Sequence, residues 1–187
     1  MKKMTIADLN VLLIEDDRHM RMLMRNVLMA LGVKDVAEAA DGGAAIEELN
    51  AFRPNLILCD MKMTPVGGLK FVRALRANRN TPFRLVPVIM VTAYADLESV
   101  AEARDVGVTE FMAKPISAAD LEKRIQRVLN DVRRFVESPE FNGPDRRRGK
   151  KTVFGGKERR EEEATFIEPP EPSPSPEPAP CKPEAPQ

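Results

Sequence analysis

Four short apolar runs constrain the fold of this chain most strongly, because each of them ends in a polar residue that can take part in chemistry. The runs cover residues 11–14, 56–59, 88–91 and 110–113, and the stretches between them are long enough for helices. Short apolar runs that alternate with amphipathic segments are typical of buried parallel strands in a βα repeat. The carboxyl ends of such strands gather functional groups at one edge of the sheet. We therefore expect the polar residues that end the runs to lie close together.

The polar residues at the predicted sheet edge have complementary chemistry. They are Glu15 and Asp16 after the first run, Asp60 after the second, Thr92 after the third and Lys114 after the fourth. Carboxylates suit a hard divalent cation, whereas a hydroxyl and an ammonium can bind the oxygens of a phosphoryl group. The sequence therefore predicts a site for a metal ion and a phosphoryl group.

Helical periodicity fills the intervals between the apolar runs. Amphipathic spacing predicts helices over residues 18–31, 42–52, 67–78, 96–106 and 117–136, and a further short strand over residues 34–38. Asp41, Asp96 and Ser117 are suited to cap helices, and the apolar stripe of the last helix extends to Phe135. Five strands that alternate with five helices favour an α/β fold, a flavodoxin-like doubly wound (βα)5 parallel sheet with strand order 2-1-3-4-5.

These ordered motifs resemble the receiver domain of bacterial two-component response regulators over about residues 8–136. In that family an acidic pair follows the first strand, and the phosphoacceptor aspartate follows the third. A threonine or serine follows the fourth strand, and a Lys-Pro pair follows the fifth. The matching residues are Glu15-Asp16, Asp60, Thr92 and Lys114-Pro115. The resemblance also makes the bond between Lys114 and Pro115 a candidate cis peptide.

The resemblance implies a role for the residues that follow the later strands. Asp60 is expected to be the nucleophile that forms an aspartyl-phosphate. Lys114 is expected to pair with a phosphoryl oxygen as a point charge, and Thr92 to donate a hydrogen bond to the same group. Thr92 and Phe111 are the expected switch residues. Two further residues are expected to shape the access of water to the phosphoryl group, and these are Lys62 and Tyr94.

The cofactor that the resemblance implies is Mg²⁺. Its expected ligands are Asp16, Asp60 and the backbone carbonyl of Lys62, with Glu15 acting largely through water. Asp17 follows the acidic pair at the entry to a helix, where an acid is favoured as the N-cap. It remains the alternative to Asp16 as a direct ligand.

The function implied by the resemblance is a phosphorylation-dependent signalling switch rather than an enzyme. The expected phosphoryl donor is a sensor histidine kinase or a phosphotransfer protein, and the expected receiver of the signal is a downstream protein target. A phosphorylation-dependent dimer is a further alternative. The chain has no apolar run of 18 residues and no signal-peptide core, so we expect a cytoplasmic protein with no membrane segment. Its two cysteines are too far apart to indicate a disulfide framework or a metal-ligand cluster.

Residues 137–187 have the composition of a disordered tail. The basic block, residues 145–160, carries eight basic residues against two acids, and the acidic proline-rich end, residues 161–187, carries seven acids against one lysine. Nine of the last 19 residues are proline, so this segment cannot bury enough apolar surface to offset its ordering entropy.

A near-repeat lies within residues 141–160 of the predicted tail. Residues 141–147 and 154–160 both read aromatic, any residue, Gly, any residue, acid, Arg, Arg, with an offset of 13 residues. We interpret the repeat as a duplicated docking motif for an acidic partner, and a solubilising tail is the alternative. The alternative function for the whole chain is a nucleic-acid-binding regulator that uses the basic block. That block has no recognition-helix pattern and has an acidic neighbour, which argues against specific DNA binding.

Overall fold

The computed structural model of the chain describes residues 3–93, 97–131, 133–138, 141–145 and 165–167. Its centre is a parallel sheet of five strands. They are β1 (Asn10–Ile14), β2 (Asp35–Ala39), β3 (Leu56–Asp60), β4 (Val88–Thr92) and β5 (Glu110–Ala113). The strand order β2-β1-β3-β4-β5 confirms the predicted flavodoxin-like arrangement.

Five helices cover the two faces of this sheet. They are α1 (Arg18–Ala30), α2 (Gly42–Phe52), α3 (Gly68–Ala77), α4 (Leu97–Asp105) and α5 (Ala118–Leu129). Buried hydrophobic residues of α2, α3 and α4 belong to one core cluster, and those of α1 and α5 belong to the other. Because both faces are covered, β3 and β4 are buried along their whole length, which explains their continuous apolar runs. Within the described ranges, no helix combines the length and the apolar character needed to cross a membrane.

Capping side chains fix the starts of three helices. Asp17 accepts a hydrogen bond from the Met20 amide at 2.8 Å and is the N-cap of α1. This bond is the main cause of a lowered pKa for the Asp17 carboxyl. Asp41 and Ser117 cap α2 and α5 through similar bonds. Asp96, the predicted cap of α4, lies outside the described residues.

The last helix is shorter than the sequence predicted. Its apolar stripe favours a helix to residue 136, but α5 ends at Leu129, so this boundary was wrong. Asp131 accepts a hydrogen bond from the Arg133 amide at 3.0 Å and also binds its guanidinium, which holds the chain in a turn after the helix. Phe135 then enters a strand and packs against arginine side chains instead of the sheet.

Some residues that were expected to be disordered form a second, antiparallel sheet. Its strands are β6 (Phe135–Ser138), β7 (Phe141–Pro144) and β8 (Thr165–Ile167), in the order β7-β6-β8. The described residues beyond 136 therefore include short strands within the predicted tail, and the boundary predicted after residue 136 falls inside β6. Most of the basic block, all of the second copy of the repeat, and the acidic proline-rich end apart from residues 165–167 lie outside the described residues.

Arginines of the main domain hold the C-terminal hairpin, which comprises β6 and β7. The guanidinium carbons of Arg76 and Arg84 lie 5.6 and 5.7 Å from the centroid of the Phe135 ring, within the range of a cation–π contact. The Glu137 carboxylate lies 2.8 Å from Arg84 Nη2 and 2.6 Å from Arg79 Nη2. These contacts span distant parts of the chain and help to offset the entropy of ordering the hairpin.

Arg76 carries its charge into the interior of the domain. Its guanidinium donates hydrogen bonds to the backbone carbonyl oxygens of Gly107 and Arg84. Burial, with a smaller contribution from the Arg84 charge, lowers the pKa of Arg76 to about 9. A buried cation requires partners, and the carbonyl groups of the main domain supply two of them. The ring of Phe135 lies against the same cation and so connects the hairpin to the domain.

We predict that the Glu137 charge stabilises the hairpin at neutral pH but not in acid. Hydrogen bonding to Arg84 lowers the pKa of Glu137 from its ordinary value of 4.5. Its stabilising contribution is therefore complete above that value and is lost as the pH falls below it. Glu137→Gln should reduce the free energy of unfolding by about 1 kcal/mol at pH 7, and its difference from the wild type should shrink on acidification.

Urea unfolding at several pH values measures this difference. Glu122→Gln, which changes an exposed acid on α5, controls for the general effect of removing one negative charge. A difference between Glu137→Gln and the wild type that stays constant with pH would contradict the assignment.

Candidate functional site

Neighbouring strands bring the three predicted carboxylates together at the carboxyl edge of the sheet. Strand β1 pairs with β3 so that Ile14 lies opposite Cys59, and the residues that follow are Glu15 and Asp60. Together with Asp16 they offer carboxylate oxygens that all lie within 4.8 Å of one another. Glu15 and Asp60 are buried whereas Asp16 is exposed, so the cluster opens to solvent on the Asp16 side.

Lys114 reaches the same edge from the end of β5. Its Nζ lies 2.8 Å from Glu15 Oε2 and 3.4 Å from Asp60 Oδ2. Its backbone amide donates a hydrogen bond to the Thr92 carbonyl at 2.7 Å, which ties the end of β5 to the end of β4. The ammonium of Lys114 therefore bridges the two buried carboxylates.

The Asp60 carboxylate has a defined orientation. Its Oδ1 accepts a hydrogen bond from the Met61 amide at 2.8 Å, while its Oδ2 lies on the Lys114 side. Gly68, the first residue of α3, lies so close to β3 that an added Cβ would be 2.1 Å from the Asp60 carbonyl oxygen. A side chain at residue 68 would collide with this backbone, so the glycine allows α3 to start beside the site.

The cluster carries more negative than positive charge. Within the described residues, it combines three carboxylates with the Lys114 ammonium, which leaves two negative charges uncompensated when all four groups are ionised. The pKa of Glu15 is raised, mainly because its carboxyl is buried. The hydrogen bond from Lys114 lowers this pKa, but the nearby charge of Asp60 raises it, and the net shift is upward. Burial lowers the pKa of Lys114, but its hydrogen bond with Glu15 and the Asp60 charge raise it by more.

The donor set fits a hard divalent cation such as Mg²⁺. Three carboxylates converge on one point, and the two uncompensated negative charges equal the charge of the ion. Lys62, whose backbone carbonyl is the predicted additional ligand, lines the same shallow cleft as Asp16. Asp17 does not belong to this group of carboxylates, because its side chain caps α1.

The predicted switch residues lie on β4, which pairs with the Asp60 strand, and on β5, one strand further from it. Thr92 ends β4 and is fully buried, one residue beyond the register partner of Asp60. Phe111 is on β5, opposite Met90 of β4. Its partly buried ring packs against the core cluster that includes residues of α2, α3 and α4. Tyr94, the predicted modulator of water access, lies outside the described residues.

Two proline peptide bonds near the site are cis. The bond between Lys114 and Pro115, which was the candidate from the sequence, is one of them, and the bond between Thr64 and Pro65 is the other. Nothing in the sequence pattern had indicated the second cis bond.

Arg21 supports the acidic pair, although sequence reasoning did not single it out. Its guanidinium donates a hydrogen bond to the Glu15 carbonyl and forms an ion pair with Glu38 at 3.2 Å. Its backbone amide bonds to the Asp17 carbonyl at 2.9 Å, in the first turn of α1. A basic residue four positions after an acidic N-cap is the signal that could have indicated this contact.

The chain belongs to the family of response regulator receiver domains, which it matches over residues 11–126. The match contains every member of the carboxylate cluster and Lys114, and it ends within α5, before the C-terminal hairpin. Receiver domains are phosphorylation-dependent signalling switches that interact with histidine kinases and downstream targets.

Several known proteins are similar to the chain over the same region. It is 32% identical over 124 residues to chemotaxis protein CheY of Pseudomonas aeruginosa, an alignment that covers 66% of this chain and 98% of that protein. Chemotaxis protein CheY4 of Vibrio cholerae has a solved structure with a TM-score of 0.60 at 30% identity, covering 64% of this chain and 98% of that one. The receiver domain of a Pseudomonas aeruginosa sensor histidine kinase was solved with a magnesium ion coordinated in its active-site cleft. Its structure has a TM-score of 0.59 at 29% identity, and the match covers 66% of this chain and 98% of that one.

We predict that Asp60→Asn stabilises the metal-free fold. The substitution removes one of the uncompensated negative charges, while the amide oxygen can still accept the Met61 hydrogen bond. The free energy of unfolding at pH 7 in the presence of a chelator should rise by about 1 kcal/mol. Urea unfolding measures the change, again with Glu122→Gln as the exposed control. A less stable Asp60→Asn protein would show that attraction to Lys114 outweighs repulsion among the carboxylates.

Proposed function

We propose that this chain is the phosphoryl-accepting switch of a two-component phosphorelay, with Asp60 as the acceptor. The observation that carries the proposal is the convergence of Asp60 with the acidic pair Glu15 and Asp16 and with Lys114 at one edge of the sheet. A structural ion pair would need one acid for one lysine, whereas the excess of carboxylates suits a site that binds a cation and an anion together. The output is contact with a downstream protein rather than turnover of a separate substrate.

The phosphoryl donor in this proposal is a phosphohistidine of a sensor kinase or a phosphotransfer protein, and the proposed location of the reaction is the cytoplasm. A carboxylate oxygen of Asp60 attacks the phosphorus atom and forms a P–O bond. The P–N bond of the donor breaks, its electron pair returns to the imidazole, and that ring takes up a proton from solvent. Because the Met61 amide occupies Oδ1, we assign Oδ2 as the attacking atom.

We assign the metal ligands to the acids of the cluster and one carbonyl group. Glu15, Asp16, Asp60 and the backbone carbonyl of Lys62 would hold Mg²⁺, with Glu15 acting largely through water. When bound, the ion supplies the positive charge that offsets repulsion between the carboxylate of Asp60 and an anionic phosphoryl group. The magnesium ion in the cleft of the similar kinase receiver supports this assignment.

Lys114 changes partners in the proposed switch. Its Nζ is shared between Glu15 and Asp60 before the reaction, and phosphorylation adds about two negative charges at Asp60. The ammonium then pairs with a phosphoryl oxygen, and the hydroxyl of Thr92 donates a hydrogen bond to the same group. Phe111 changes rotamer with this movement, so that the surface of α4, β5 and α5 reports the state of Asp60.

Asp60→Asn should abolish Mg²⁺-dependent phosphorylation by acetyl phosphate, because a carboxamide cannot replace the carboxylate nucleophile. Asp16→Asn should raise the Mg²⁺ concentration required for half-maximal labelling by about tenfold or more, because it removes a negatively charged ligand. Intact-protein mass spectrometry measures both effects.

The matched control for Asp16→Asn is Asp17→Asn. Asp17 is the adjacent acid in the sequence but caps α1, and asparagine is an equally good N-cap. Its Mg²⁺ requirement should therefore equal that of the wild type. Undiminished labelling of Asp60→Asn at another acid would contradict the assignment of the phosphoacceptor.

The phosphorylated form should lose its phosphoryl group slowly. Lys62 and Tyr94 stand two residues after Asp60 and Thr92, where a long cation can contact phosphoryl oxygens and a bulky ring can screen the attacking water. The double variant Lys62→Asn with Tyr94→Ala should hydrolyse faster, by about tenfold. Decay of the phosphorylated species after removal of acetyl phosphate gives the rate, and an unchanged rate would contradict the roles of these two residues.

A further inference from the structure

Both backbone polar groups of Glu15 are tied to the neighbouring strand β2. The Glu15 amide donates a hydrogen bond to the Ala39 carbonyl oxygen at 3.1 Å. The Glu15 carbonyl oxygen accepts a hydrogen bond from Nη1 of Arg21, and Nε of the same guanidinium lies 3.2 Å from Oε2 of Glu38. Glu38 and Ala39 are the last two residues of β2. The strand therefore holds Glu15 once directly and once through Arg21.

Further hydrogen bonds fix the turn between β1 and α1. The Asp17 amide donates a hydrogen bond to the Glu15 carboxylate, and the Asp17 side chain caps α1. The Arg21 amide donates to the Asp17 carbonyl oxygen. Asp16 lies between the two fixed residues and is the exposed member of the carboxylate cluster. The direction in which the Asp16 side chain leaves the backbone therefore depends on contacts that Arg21 makes.

Arg25 provides a natural comparison for Arg21. It lies one turn further along α1, and its Nε is 3.1 Å from Oε1 of Glu38. The two arginines thus share one carboxylate, but among the described residues Arg25 makes no hydrogen bond to Glu15. The contact with the Glu15 carbonyl is therefore the feature that distinguishes Arg21 from a second arginine of equal charge on the same helix.

The charge of Arg21 taken alone would weaken the binding of a divalent cation. Because two arginines share Glu38, one positive charge is left uncompensated beside the turn that carries Glu15 and Asp16. A positive charge there repels an incoming cation and partly neutralises the acids that attract it. Loss of this charge should tighten Mg²⁺ binding. Loss of the hydrogen bond to the Glu15 carbonyl should weaken it, because the outer groups that orient metal ligands contribute strongly to metal affinity.

We propose that Arg21 is a positioning residue for the metal site, and that its hydrogen bond to Glu15 contributes more to Mg²⁺ affinity than its charge removes. The inference rests on the metal assignment of the proposed function and adds a residue that does not touch the ion. The planar guanidinium suits this role, since one nitrogen holds the Glu15 carbonyl while another holds Glu38. A lysine ammonium on a flexible stem can reach either group but does not hold both in a fixed geometry.

Titration of the full-length protein with Mg²⁺ alone, followed through the amide resonance of Met61 in NMR spectra, tests the proposal. This amide donates to Oδ1 of Asp60 and so reports on the cluster directly. Arg21→Gln should raise the Mg²⁺ dissociation constant by about tenfold, and Arg21→Lys should give an intermediate value. Arg25→Gln is the matched control, because it removes the same charge and an ion pair with the same carboxylate. Its dissociation constant should equal that of the wild type or be slightly lower.

Urea unfolding in the presence of a chelator separates the positioning role from a purely structural one. Arg21→Gln and Arg25→Gln each remove an ion pair with Glu38, so we expect both to lower the stability of the metal-free protein. Only Arg21→Gln should also change the Mg²⁺ dissociation constant. A structural role alone would change the unfolding curves and leave the metal titration as it is in the wild type.

The outcomes that would overturn the proposal differ in what else they affect. An unchanged or lower dissociation constant in Arg21→Gln, with normal binding by the wild type, would overturn the positioning role and leave the proposed function intact. An equal rise in Arg25→Gln would assign the effect to the ion pairs with Glu38. Absence of Mg²⁺ binding by the wild type would overturn the metal assignment and the inference together. If Arg21→Gln does not fold, Arg21→Lys decides, and a wild-type dissociation constant in that variant would contradict the proposal.

Discussion

The shared ammonium of Lys114 is the interaction on which the carboxyl edge of this domain depends. It lies 2.8 Å from Glu15 and 3.4 Å from Asp60, two carboxylates that are almost fully buried. Buried acids without a cation would be costly, so the lysine makes the arrangement compatible with a stable fold. Because one positive charge cannot neutralise three acids, the site retains a negative charge that favours a divalent cation.

The parallel sheet provides the precision that this charge cluster requires. Register between β1 and β3 places Glu15 beside Asp60, and register between β4 and β5 places Thr92 beside the strand that leads to Lys114. Both faces of the sheet are covered by helices, so the strands have little freedom to shift. Gly68 removes the side chain that would keep α3 away from Asp60. The clustered carboxylates and the lysine are therefore held at the ends of buried strands.

The opposite ends of the same elements contact the C-terminal hairpin. Strand β5 begins just after Gly107, which touches the hairpin, and ends just before Lys114, which touches the cluster. Arg133 reaches the Thr109 carbonyl at the start of this strand, at 3.0 Å. The hairpin therefore adds contacts at one end of β5 while the charged cluster fixes the other.

The five-stranded sheet was predictable because most of its strands are short runs of consecutive apolar residues, a pattern that can be recognised from neighbouring residues alone. Residues 56–60 read as four apolar residues and an acid, and the structure buries all five, with the acid at the edge. The end of α5 was not predictable in this way, since Phe135 continues the apolar stripe of the helix equally well. Its true neighbours, Arg76 and Arg84, come from a distant part of the chain. Arg21 was missed for a related reason, because it acts on a backbone carbonyl and not on a side chain that a motif would contain.

A crystal structure of the chain with Mg²⁺ and beryllium trifluoride, a phosphoryl mimic, tests the central claim most directly. The account predicts the trifluoride on a carboxylate oxygen of Asp60, with Thr92 Oγ1 and Lys114 Nζ within hydrogen-bond distance of its fluorine atoms. It also predicts a metal ion coordinated by Asp16 and Asp60. Lys114 still shared between Glu15 and an unmodified Asp60, at saturating concentrations of both reagents, would contradict the account.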